Sequence, residues 1–428
     1  MRYVSKHVPV LEQATCATIN GCEPFDQGTA KAALRHHEFR TVWIGTFISS
    51  IGTWMQNVLI GAFALGLTHQ PWFVGLIYFA NIGPMLFLAP IGGFLSDILD
   101  RRKFLVCCQL EQGVFAAAIA VLVFAGNPNR WAVLFCTLMV GIGYGLNSPG
   151  IASLLPTLVP REDLHGAVAL QAVQMNLSRV IGPVIGALLL PAFGFGTLFA
   201  INAVSYPVAI VSLVIAKYPG HVARRSSDSG LHQLLSGFKI AAGDPLIRRV
   251  LTTMGTFSFF SLAFVGLMPA IANDNLTVAP DSTVYGFLYA TFGLGCVVGS
   301  LLIGNILADK WLVKIVRLSF VGFAVMLAAF ALTRQIELAF PAVFMLGCAY
   351  FLTVTSLSVS LQSHLDDAIR GRISGLWMMS FNGTVALGVL ASGVILLFIQ
   401  TTTLLLIGSL VAALLAVYCN LSAVRSKV

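Results

Sequence analysis

The chain has 428 residues, 57% of them apolar and only 10% charged. A soluble domain carries about 25% charged residues, so this balance excludes an ordinary soluble enzyme or binding module and points to a lipid bilayer. The net charge of +8 would suit nucleic acid if gathered in one patch, but its distribution along the chain leaves nucleic acid no role.

Residues 1–34 lack a continuous apolar run and read as a polar tail rather than a cleaved signal peptide. A membrane-spanning helix needs about 20 mostly apolar residues. Six such stretches follow the tail, at 42–67, 72–96, 104–125, 131–155, 167–192 and 195–216. The longest later polar interval, 217–249, separates them from six more at 247–271, 283–308, 312–332, 337–361, 373–398 and 401–423. Within that interval, 231–242 has the pattern of a short amphipathic helix at the membrane surface.

With the N-terminus cytoplasmic, 22 of the 25 Lys and Arg fall in the tails and alternate loops of that side. Arg130 and Arg334 fall opposite, and Arg179 lies inside the fifth span. This is the positive-inside asymmetry, and it predicts a multi-pass membrane protein with both termini cytoplasmic. The eight Cys show neither CxxC nor zinc-ligand spacing, so no metal or other cofactor is expected.

The two sets of six spans resemble each other. "IGGFLSDILDRRK" (91–103) and "IGNILADKWLVK" (303–314) place Asp97 on Asp309 and Arg102 on Lys314, and Gly83 upstream on Gly295. A second pair, 141–176 and 347–382, places Gly141, Tyr144 and Asn176 on Gly347, Tyr350 and Asn382. Parallel repeats of six spans, related by a pseudo-twofold along the membrane normal, are the plan of many secondary transporters, whose substrate site lies between the halves near the midplane. The expected fold is an all-α membrane protein of twelve helices in two bundles. Its parts are a tail (1–34), a first bundle (35–217), a central cytoplasmic loop (218–245), a second bundle (246–423) and a short C-terminal tail (424–428).

On these residues the chain resembles the major facilitator superfamily over about 34–423, and within it the bacterial branch of enterobactin exporters and multidrug-efflux proteins. The family's loop motif is matched by Gly93, Asp97, Arg101, Arg102 and Lys103, with Asp100 where Gly is usual. "RTVWIGTFISSIGTWMQNV" (40–58) is similar to the branch's first span, and "SLLPTLVPREDLHGAVAL" and "RGRISGLWMMSFNGTVALG" to its loops into spans five and eleven. "SRVIGPVIGA" (178–187) resembles the antiporter motif through Gly182, Pro183 and Gly186, with Ala187 in the last Gly place. The resemblance implies a cytoplasmic gate of Asp97, Arg101, Arg102 and Asp309 with Arg370 and Arg372 near the start of span eleven. It implies export of a siderophore-like or drug-like molecule in exchange for protons, by a monomer with no enzymatic activity. The Arg that many proton-coupled relatives carry in span four is absent between Arg130 and Arg161, so that coupling role does not transfer. An importer or facilitator on the same fold is the alternative; a non-transporting sensor has little room for a signalling domain.

Several membrane-embedded polar residues are candidates for substrate or proton coupling. A charge at the depth of Arg179 costs about 2.5–3.5 kcal/mol by insertion scales. About 12 residues separate it from either end of its span, roughly 18 Å at helical rise, too far to snorkel. It flanks a small-residue stripe of Gln171, Gln174, Ser178, Gly182 and Gly186, and is expected to face the cavity, binding substrate or answering a carboxylate such as Glu111. Glu111 in span three is either a proton relay or a hydrogen-bonded interface group. Gln56, Asn57, Asn147, Gln171, Gln174, Asn176 and Asn382 complete the candidate set, each alone open to a plain helix–helix hydrogen bond. No phosphate-binding G-x-x-x-x-G-K-[ST] occurs, so ATP coupling within the chain is not expected.

Overall fold

The computed structural model describes residues 28–217, 230–306 and 312–419. The described residues are almost wholly helical, as apolar segments in lipid must be, because a helix satisfies its own backbone groups. The first half consists of α1 (Ala30–Arg35), α2 (His37–Thr68), α3 (Pro71–Ile82), α4 (Met85–Ile98), α5 (Arg101–Phe124), α6 (Arg130–Leu158) and α7 (Leu164–Ile215). After α8 (Gly230–Gly243) come α9 (Pro245–Phe260), α10 (Phe264–Leu276), α11 (Thr283–Ile306), α12 (Leu312–Leu332), α13 (Ile336–Gln362), α14 (Asp367–Met378), α15 (Thr384–Ile395) and α16 (Thr401–Tyr418).

Eleven described segments are long and apolar enough to cross a membrane. One of them, 161–215, is two crossings: α7 would be roughly 78 Å long if straight, more than twice a hydrocarbon core. It is broken at Gly194, whose φ of 70° and ψ of 170° no helix tolerates. Twelve crossings result, matching the twelve stretches of the sequence. Span two divides into α3 and α4 at Gly83 and Pro84, and span seven into α9 and α10 across 261–263. In span eleven α14 passes through a π-helical turn, Met379–Gly383, into α15.

The repeat is visible in packing. Gly141 brings α6 against α3, where an added Cβ would run into the carbonyl of Ala80. Gly347 does the same between α13 and α11 at the carbonyl of Phe292. Ala80 and Phe292 are separated by the same interval as Asp97 and Asp309, so the two halves use one backbone contact twice. Each half also has a clip at the tail-bearing end. His36 Nε2 lies 2.8 Å from Asp163 Oδ2, joining the start of span one to the turn after span four. His364 Nε2 lies 2.9 Å from Asp244 Oδ2, joining the equivalent places of the second half with the residue types exchanged.

The halves press together near the loops at 69–70 and 396–400. There Gly75 faces the backbone of Val389 and Leu390, Gly61 faces Pro269, Gly266 receives the ring of Tyr78, and Gly286 receives Ala187. Small residues let helices approach this closely in lipid, where dispersion contacts replace a hydrophobic driving force.

Candidate functional site

Below that seal lies a cavity of about 1000 Å³, counting the part continuous with solvent, the size of a small-molecule site. Both halves line it: Trp54, Asn57, Tyr78, Asn81 and Arg179 from the first, Tyr285, Tyr289, Phe292, Cys296, Tyr350 and Asn382 from the second. Arg179 is the one charged residue on its wall. The guanidinium carbon sits 4.7 Å from the centre of the Trp54 ring, a cation–π distance. Tyr350, Cys296, Tyr289, Tyr144 and Tyr78 lie in its electrostatic reach, and Tyr350 hydrogen-bonds to it. Among the described residues it makes no ion pair, and its Nε has no hydrogen-bond partner. Glu111 does not answer it.

The antiporter-like segment explains how Arg179 is presented. Gly182 lets α7 lie on α2, with the site of an added Cβ only 2.7 Å from Ile51 O and Met55 N. Gly186 meets Met55 and Leu59, and Ala187 fills the space left by Gly286 across the halves. Pro183 has no N–H to offer the carbonyl of Arg179 one turn earlier, and that carbonyl faces Gly293 on α11. The residue is thus held on the seam between halves by both its backbone and its side chain.

A second chamber of about 810 Å³ lies within the first half and shares Trp54 and Asn57 with the cavity. Gln109, Gln112, Asn147, Ser148, Gln171 and Gln174 line it, and it holds no acid. A smaller space, sharing Thr46, Ile151, Gln171 and Gln174, continues toward Phe39 and Leu158 at the tail-bearing end. Gln174 donates to Thr46 Oγ1 at 3.2 Å and Ser50 Oγ at 3.3 Å. Asn57 Oδ1 accepts from Asn81 at 2.8 Å.

The other candidates divide. Gln56 turns away from both cavities: its Oε1 accepts from the fully buried Asn202 at 2.7 Å, tying α2 to the last stretch of α7. Asn176 bonds back to Ala172 O of its own helix at 3.0 Å and lines neither cavity. Asn382, on the π-helical turn, reaches the main cavity. Glu111 lines neither; both carboxyl oxygens are buried without a partner, in a space that exists because Gly143 on α6 carries no Cβ.

At the gate, Asp309 lies outside the described residues, as do the side chains of Asp97 and Arg370. Arg101 donates to Ser153 O at 2.8 Å and Arg102 to Ala216 O at 2.6 Å, so each ties the loop after span two to another helix end. Gly93 faces Pro149, and Arg372 packs near Gly237 of α8. That helix spans Gly230–Gly243, where the sequence predicts one over 231–242. Sequence reasoning did not single out the aromatic wall. The one available signal was the repeat, which pairs Tyr144 with Tyr350, two of the tyrosines near Arg179 and one from each half.

Two six-span halves around a central cavity, with a buried cation on the seam, define a membrane transporter rather than an enzyme. The profile of the transmembrane secretion effector family matches residues 28–427, and the chain belongs to that family of the major facilitator superfamily. Enterobactin exporters of Shigella boydii serotype 4 and Escherichia coli strain SMS-3-5 are 26% and 27% identical to it over 343 residues, 80% of this chain and 81% of theirs. An auto-inhibited POT family peptide transporter shares the fold with a TM-score of 0.73 at 12% identity, covering 91% of this chain and 97% of its own. A bacterial homologue of ferroportin in an inward-facing state does so with a TM-score of 0.68 at 15% identity, covering 89% and 97%.

Proposed function

We propose that the protein is a secondary exporter of the bacterial cytoplasmic membrane, moving a small molecule outward by alternating access in exchange for protons. The observation that carries this is the cavity between the halves. It is sealed at the end bearing the 69–70 and 396–400 loops, and chambers continue from it toward the tail-bearing end. The positive-inside bias makes the tail-bearing end cytoplasmic, so this conformation faces inward, ready to load from the cytoplasm. The names of the enterobactin-exporting relatives support the outward direction.

The bundles 35–217 and 246–423 rock about the site, joined by 218–245, and the protein acts as a monomer. Asp97, Arg101, Arg102, Asp309, Arg370 and Arg372 form the cytoplasmic gate that closes when the outer seal opens. Glu111 is the proton carrier: a membrane-embedded carboxyl with neither oxygen paired is free to exchange a proton whenever rocking admits water. The test is accumulation in everted vesicles of a panel of siderophore-like and drug-like compounds. At least one compound should enter when a proton gradient is imposed and stop when it is collapsed, and Glu111→Gln should remove the dependence on the gradient. A panel in which nothing moves with the gradient refutes the proposal.

A further inference from the structure

The two connected chambers lack opposite things. On the main cavity wall the unanswered polar atom is a donor, the Nε of Arg179. It is held by an aromatic face rather than a carboxylate, so the positive charge is not neutralised within the protein. In the side chamber the unanswered atoms include two that can only accept, Oε1 of Gln109 and Oδ1 of Asn147, beside the Tyr206 hydroxyl, which can donate or accept. Gln109 and Asn147 are only 6% and 8% exposed. A buried polar atom without a partner is costly, and a ligand that supplies each missing partner recovers that cost on binding.

Trp54 and Asn57 belong to both chambers, so the two adjoin at these side chains, and a molecule extending past them would reach both. Tyr144, on the side-chamber wall, is also within reach of Arg179. Around the guanidinium the wall is aromatic, with Trp54, Tyr289, Phe292 and Tyr350, whose rings offer both faces and edges to an aromatic ligand. Neither chamber has an acid on its lining, so no carboxylate there offsets the repulsion between a cationic ligand and Arg179.

From these complementary deficits we infer that the substrate is a bipartite organic anion. Its ring-bearing end carries the negative charge and lies between Arg179 and the aromatic wall. Its other limb is uncharged, carries N–H or O–H donors, and enters the side chamber toward Gln109 and Asn147. This rests on the cavity being the substrate site, as the proposed function has it, but not on the direction or coupling of transport.

The experiment is equilibrium binding to the full chain in nanodiscs, without any gradient. Four probes vary one feature each: 6-(β-glucopyranosyloxy)-2-naphthoate, its methyl ester, the sugar-free 2-naphthoate, and the matching naphthylmethylammonium glucoside. The glucosyl naphthoate should bind about tenfold or more tighter than the ester and the cation, as expected for a charge-assisted hydrogen bond, and several-fold tighter than 2-naphthoate. Arg179→Met should abolish the preference over the ester. Gln109→Leu and Asn147→Leu should abolish the preference over 2-naphthoate and leave the preference over the ester. The inference is overturned if the cation or ester binds as well as the anion, if the glucosyl naphthoate does not bind at 1 mM (a concentration set by the roughly −4 kcal/mol floor of weak binding), or if the side-chamber variants weaken all four probes alike. The wild-type comparison of probes decides the point even if a variant fails to fold. Failure of gradient-driven transport would leave this result standing, so the two readings fail separately.

Discussion

The seal between halves rests on glycines that touch backbone, and Gly75→Ala tests what that contact controls. A Cβ at Gly75 would lie 2.8 Å from the carbonyl oxygen of Val389, 3.3 Å from Leu390 Cα and 3.4 Å from Gly393 Cα. All three are backbone atoms of α15, which cannot swing aside as a side chain can. Restoring ordinary contact requires α3 and α15 to separate by about half an ångström, and overpacking of this kind costs about 1–3 kcal/mol. The cost falls on the sealed conformation alone, because the two helices part when the outer side opens. At 1.4 kcal/mol per factor of ten, the equilibrium should shift toward the outward-open state by about 5- to 150-fold. Spin labels at the exposed loop positions Gln70 and Gln400, with Cys16, Cys22 and Cys107 replaced by Ser, report the change as a longer component in the double electron–electron resonance distance distribution. An unchanged distribution with a lowered melting temperature would refute the reasoning, since the contact would then be ordinary packing with no part in choosing between states.

Gly143→Ala should act on Glu111, because a new Cβ occupies the carboxyl's place and comes within 2.7 Å of Gln112 Cγ. The carboxyl is the movable party, so folding survives while proton-driven accumulation in vesicles falls by about tenfold, the loss expected of a displaced coupling group; an intact pH profile would dismiss the role of Glu111. Asp244 caps α9 through the N–H groups of Leu246 at 2.8 Å and Ile247 at 3.0 Å and meets His364 on its other oxygen. Burial pushes its pKa up, but the Ile247 N–H, His364 and the Leu246 N–H outweigh it and hold the carboxyl below its ordinary value. The contribution to stability is therefore present above the ordinary carboxylate range and lost as pH falls through the lowered value. Asp244→Ala should cost about 0.5–2 kcal/mol at neutral pH, read by thermal unfolding, and the gap between wild type and variant should close in acid. A gap independent of pH would refute the assignment.

The spans were legible because lipid demands long apolar windows, and the one merged helix was separable in sequence because no single span is so long. Even the repeat, found from Gly and Asp spacing, turned out to mark real backbone contacts at Ala80 and Phe292. The site was legible only in part, for two physical reasons. Rotation about a helix is the first: Gln56 and Asn57 are neighbours, yet 100° separates their directions, so one locks onto Asn202 while the other faces the cavity. Contact across the halves is the second. The chain carries 30 Phe, 6 Trp and 9 Tyr, and hydropathy does not distinguish Tyr289 or Tyr350 at the seam from a ring facing lipid. Only the folded pairing of α7 with α11, on which α13 packs, brings them to Arg179. The same pairing explains Ala187, which departs from the usual Gly because Gly286 supplies the missing space on the other side.

That partner choice explains how a charge inside the membrane remains usable. A carboxylate beside Arg179 would offset its desolvation most fully, but the pair would then be closed to a ligand unless the salt bridge broke first, and separating a buried pair costs about 3–5 kcal/mol. An aromatic face offers about 0.5–2 kcal/mol, enough with the open cavity and the Tyr350 hydroxyl to hold the side chain in place, and it leaves Nε without a partner. Glu111 is kept apart from it, behind Gly143 and off the cavity lining. In the proposed exchanger, this separation means that Arg179 and Glu111 would be coupled through the movement of the helices that carry them rather than through a shared bond.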